Sequence, residues 1–76
     1  MPPMSPNQKA SRVRAAAVSG EARATRLSAR LSLRELANEV GVHPTCLRSW
    51  EVGEFLPRHE NAVRWYQALN RLGWRP

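Results

Sequence analysis

The chain has 76 residues, with 12 Lys and Arg against 6 acidic residues, a formal charge of +6 and a pI near 11.4; a single small domain with a polyanionic partner is expected. It is too short to combine a roomy catalytic cavity with a thick core, which argues against an enzyme. Cys46 is alone, which excludes an internal disulfide, and no run of about 18 apolar residues occurs, so a cytoplasmic protein with no membrane span is expected.

In chain order, "MPPMSP" (residues 1–6) has three prolines and no periodicity, and is expected to be a flexible tail with no signal-peptide character. Residues 7–18, "NQKASRVRAAAV", are rich in Ala and Arg, with Ala10, Val13 and Ala17 at helical spacing. They are expected to be helical, either docked on the domain or serving as a basic arm. The domain proper is taken as 19–76. Ser19 is placed as the cap of a second helix reaching about Leu31, with Ala24, Leu27 and Leu31 inward and Arg23 and Arg30 outside.

Ser32 followed by Glu35 is a capping box that starts a third helix. Its apolar positions Leu33, Leu36, Ala37 and Val40 follow i, i+3, i+4, i+7. Gly41 falls just after the last inward residue, where a left-handed turn suits a residue without Cβ. Pro44 stands in the first turn of the next helix, where the missing N–H costs nothing. One helix therefore ends and another begins within three positions. Ala37 allows close approach, and Val42, Leu47 and Trp50 fill the angle, giving a helix-turn-helix. A last helix over about Glu60–Leu72 has Ala62, Tyr66 and Leu69 on one face. Trp65, Trp74 and Leu72 exceed what so thin a domain is expected to bury, so a homodimer joined at this end is expected.

Counted from Leu33, the motif has Leu36 fourth, Ala37 fifth, Val40 eighth, Gly41 ninth, Val42 tenth, Leu47 fifteenth and Trp50 eighteenth. This resembles the helix-turn-helix of the lambda-repressor-like Xre/Cro family of bacterial and phage regulators. "SWEVGEFLP" resembles that family's W-E-x-G-x-x-x-P segment, and "ENAVRWYQALNRLG" its following helix, so the resemblance covers roughly residues 19–73. It implies an all-α bundle of four to five helices and binding to operator DNA as a dimer, with helix 44–52 in the major groove. Thr45, Arg48 and Ser49, with Pro44 at the leading end, are then the base-reading candidates, and Cys46 is placed inward beside Leu47 and Trp50.

Arg48 suits the bidentate contact to guanine O6 and N7. Arg30 and Arg34 are expected against phosphates, with His43 as helix cap or phosphate neighbour. Lys9, Arg12 and Arg14 are expected to track a phosphate strand or enter a minor groove. The family's pairing of an early Arg with the Glu after the recognition helix would here join Arg26 to Glu51. Val52, Gly53, Glu54, Phe55 and Leu56 depart from the family, because a carboxylate beside two large apolar residues grips phosphate poorly.

His43, Cys46 and His59 do not make a four-ligand zinc site. No catalytic residue, metal, cofactor or small-molecule ligand is expected. The leading expectation is a sequence-specific regulator, most simply a repressor. The alternatives are an antitoxin-like module docking a protein through 55–56 and 65–74, and a nonspecific nucleic-acid coat.

Overall fold

A computed structural model describes residues 4–76 as five helices, with no strand among them. They are α1 (Pro6–Ser19), α2 (Glu21–Ser28), α3 (Leu33–Val40), α4 (Pro44–Val52) and α5 (His59–Arg71). The fold is thus the small all-α bundle expected, with extents of 33 × 23 × 22 Å. No helix among the described residues is long and apolar enough to cross a membrane.

α1 begins earlier than the composition suggested. Ser5 Oγ accepts from the Gln8 amide at 3.2 Å, and the Gln8 side chain accepts from the Ser5 amide at 2.8 Å. Pro6 takes the first helical position, where its fixed φ suits the turn. Residues 4–6 are therefore not a loose tail, and the Tyr66 hydroxyl donates to Met4 Sδ at 3.2 Å. The rest of the expected tail, residues 1–3, lies outside the described residues. Ala10, Val13, Ala16 and Ala17 are buried, and the main partner of α1 is α5. The segment is a docked helix and not an arm.

Gly20, at φ 86°, ends α1 and opens α2; Ser19 Oγ accepts from the Glu21 amide at 3.2 Å. α2 stops at Ser28, three residues short of the expected end. Arg30 adopts a left-handed φ of 59°, and the Leu31 amide turns back to the Arg26 carbonyl at 3.2 Å. The inward face also differs from expectation. Ala24 and Leu27 are exposed and Leu31 is half-buried, whereas Ala22 and Arg26 are buried. The guanidinium of Arg26 finds its acceptors inside the bundle, and that fixes the rotation of a short helix with little apolar area of its own.

α3 follows its pattern closely. The Ser32–Glu35 capping box is formed in both directions, and Leu36, Ala37 and Val40 are buried. Gly41, at φ 88°, sends its amide to Ala37 O at 2.8 Å, and the Val42 amide reaches the same carbonyl at 3.0 Å. These bonds close α3 and reverse the chain before Pro44.

Trp65 and Trp74 are buried and Leu72 is partly so, so the apolar patch expected at residues 65–74 is absent. Trp65 stacks at a tilt on Trp50 with ring centroids 5.3 Å apart. Trp74 meets Tyr66 edge-on at 5.2 Å. α1, α2 and the chain after α5 cover this end, which removes the stated ground for a dimer there.

Candidate nucleic-acid interface

His43 sets up the first turn of α4. Its extended backbone (φ −70°, ψ 143°) precedes Pro44, and its Nδ1 accepts from the Thr45 amide at 3.1 Å. Its carbonyl accepts from Cys46 and Leu47 at 3.0 and 3.2 Å. His43 is therefore the N-cap. Leu47, Trp50 and Glu51 point into the bundle. Helical geometry then turns Thr45, Arg48 and Ser49, at i, i+3 and i+4, to the other side. Thr45 and Arg48 are exposed and Ser49 is half-buried. Cys46, expected inward, is exposed: it stands about 40° around the helix from Trp50, just outside the buried stripe of Leu47, Trp50 and Glu51.

A buried ion pair holds this helix. Arg26 Nε donates to Glu51 Oε2 at 2.8 Å and Nη2 donates to Oε1 at 3.0 Å. Nη1 donates to Leu31 O at 2.9 Å. The two side chains are 8% and 3% exposed. Arg26 thus ties α2 and the loop before α3 to the last turn of α4, in the two-pronged geometry that fixes orientation as well as distance. It is the one ion pair among the described residues.

The α3–α4 turn gathers several of the sequence candidates. Arg34, His43, Pro44 and Thr45 line one open depression of about 500 Å³ together with Asn38. The site therefore offers a guanidinium, an imidazole, a carboxamide and a hydroxyl beside the positive end of α4. Asn38 was missed in the sequence, although its place four residues after Arg34 sets both on one face of α3. Arg64, from α5, comes near the same turn without lining the depression. Its Nη1 lies 3.8 Å from where a Cβ on Gly41 would stand, a placement that no local pattern reveals because it comes from α5 crossing the turn.

The other phosphate candidates are more dispersed. Arg30 is exposed in the loop before α3, and Arg12 is exposed on α1. Arg14 donates to Pro57 O through Nε and Nη2, both at 3.1 Å, so its charge is anchored to the loop before α5. Lys9 Nζ sits 5.8 Å from the centre of the Tyr66 ring, a cation–π contact. These four do not join the depression at Arg34. No group of three or more His, Cys, Asp or Glu able to hold a metal occurs among the described residues.

Glu35 accepts from the Ser32 amide at 2.9 Å, and its own amide is bonded to Ser32 Oγ at 3.0 Å. The backbone hydrogen bond first, and the Ser32 side chain second, hold its carboxyl below the usual carboxylate range. The negative charge is thus kept at the start of α3, next in sequence to the Arg34 that lines the depression.

No family model matches this chain, and no curated protein or solved structure matches it either.

Proposed function

We propose that the protein is a sequence-specific double-stranded DNA-binding regulator, acting most simply as a repressor in the bacterial or phage-infected cytoplasm, beside the nucleoid. The observation that carries this reading is the exposed side of α4, where Thr45 and Arg48 project next to the Arg34, Asn38 and His43 cluster. A short helix with a polar outer side suits the width of the major groove. Arginine, threonine and serine are side chains that bond base edges or touch the thymine methyl. The Xre/Cro resemblance of roughly residues 19–73 supports the same reading, as does the chain's positive charge of +6.

In this reading the roles divide by position. Arg48, Thr45, Ser49 and Pro44 face base edges. Arg34, Asn38, His43 and Arg30 hold the phosphates that frame the groove, and Arg12 and Lys9 add sequence-independent attraction. Arg26 and Glu51 do not touch DNA but set the rotation of α4.

Selection of bound fragments from random duplex DNA, repeated with Arg48→Ala and Thr45→Ala, tests the proposal. The wild-type chain should enrich one motif. Arg48→Ala should lose about 1–3 kcal/mol of discrimination at one base pair, with nonspecific binding weakened only slightly. An unchanged motif in both variants, or no enrichment by the wild-type chain, would contradict it.

A further inference from the structure

The first turn of α4 leaves one backbone donor to be satisfied from outside the helix. Pro44 carries no N–H, and the amides of Cys46 and Leu47 both go to the His43 carbonyl, at 3.0 and 3.2 Å. That leaves the Thr45 amide, whose partner is Nδ1 of the His43 ring at 3.1 Å. A backbone N–H can only donate, so Nδ1 is the acceptor and carries no proton. The neutral ring then has its proton on Nε2, at the opposite edge of an exposed side chain. α1 and α3 are capped by Ser5 and Ser32, whose hydroxyls do not titrate near neutrality, whereas the side chain capping α4 is an imidazole.

We infer that His43 is a proton-sensitive cap, which holds the first turn of α4 in its reading geometry when neutral and releases it when charged. Its effect on binding rests on the DNA-binding reading; the capping chemistry does not. Protonation puts a second N–H on the ring, at Nδ1. Two donors then face each other, the Thr45 bond is lost, and the ring turns away from the positive end of α4.

The groups around the ring do not replace that bond. Arg34 and the uncharged Asn38 of α3 share the depression with His43, and Arg64 of α5 reaches the turn at Gly41. The next titratable group along α4 itself is Cys46. The α3 carboxylates, Glu35 and Glu39, each follow Arg34 and Asn38 by one residue and so stand about 100° around the helix from them. Neither lines the depression, so a charged imidazole has no carboxylate there to pair with.

The consequence is a pH dependence opposite in sign to that of an ordinary exposed histidine. A charged imidazole near a phosphate adds attraction, so a basic protein gains affinity for DNA in acid. Here the neutral ring orders Thr45 and offers Nε2–H to a phosphate, and a duplex meeting the charged form must first restore the turn. One lost N-cap corresponds to about fivefold in an equilibrium constant. Sequence-specific affinity should fall by about that factor between about pH 8 and about pH 5.5, which spans the ordinary imidazole range.

Nitrogen NMR of the His43 ring in the full chain without DNA reads the cap directly. At neutral pH Nδ1 should be unprotonated, and on acidification the Thr45 amide should shift with the midpoint of the His43 ring. Affinity for a duplex selected by the wild-type chain, followed at constant salt over the same range, reads the consequence. His43→Asn keeps a good N-cap that does not titrate, so this pH dependence should vanish. His59→Asn removes the other imidazole of the chain and should retain it.

A neutral ring with its proton on Nδ1, a Thr45 amide that ignores the ring, or an affinity that rises in acid would overturn the inference. An unchanged pH dependence in His43→Asn would do the same. A chain that shows the coupled Thr45 shift but enriches no DNA motif sinks the functional reading alone. One that enriches a motif and binds it equally well across the range sinks the proton-sensitive cap alone.

Discussion

Glu35 shows how one exposed side chain links pH to the stability of the whole motif. Its carboxylate accepts the Ser32 amide, and its pKa is lowered in the folded state by that bond. A group whose pKa falls on folding stabilises the protein above its unfolded pKa. The contribution is lost as pH falls through the lower folded value. Thermal melts should therefore show the wild-type chain losing stability on acidification below the usual carboxylate range. Glu35→Gln keeps a side-chain acceptor for the Ser32 amide and cannot titrate, so the gap between the two proteins should narrow as pH falls. A gap that is constant across the acid range would contradict this role for the cap.

At the scale of elements, α4 is held in rotation by charge as well as by packing. Leu47 and Trp50 bury one stripe, and the Arg26–Glu51 pair fixes the last turn. Removing one partner leaves the other buried and uncompensated, which costs about 3–5 kcal/mol. Arg26→Ala and Glu51→Ala should each lower the midpoint of urea unfolding by that equivalent. The double variant should be less damaging than the sum, because no lone charge remains. Equal, additive and sub-kcal effects would show that the pair does not orient the helix.

The same elements explain what the sequence disclosed. α3 and the turn into α4 were legible because their signals are local: a capping box, a four-position apolar register, one glycine and one proline. The Arg26–Glu51 pairing was legible only through the family resemblance. The face of α2 was misread because Ala24, Leu27 and Leu31 have the right spacing, while an arginine 25 residues away in sequence from its carboxylate decides the rotation. Cys46 was misread by its chemistry, since a small thiol beside two core residues suits either side of a helix. Asn38 joined the site only once α3 and α4 were packed.

For the whole molecule, the decisive event is the docking of α1. Trp65 and Trp74 are more than a thin domain of residues 19–76 is expected to bury, and whether residues 7–18 dock or form an arm decides the outcome. Ala10, Val13, Ala16 and Ala17 give α1 a flat inner face, which lets it lie close on α5 and complete the cover over Trp65. The large apolar side chains left exposed are then Val18, Leu27, Val52, Phe55 and Leu56, and none of them lies in 65–74.

The central claim is that the outer side of α4, with the adjoining Arg34 depression, is where duplex DNA seats. Amide chemical shifts of the labelled chain, followed as a selected duplex is added, measure this most directly. The account predicts the largest changes at Thr45, Arg48, Ser49, Arg34 and Asn38, with α1 residues near Met4 and the buried face of α5 little affected. Changes concentrated on 52–58 or on α1, with the amides of 44–49 unmoved at saturation, would contradict it.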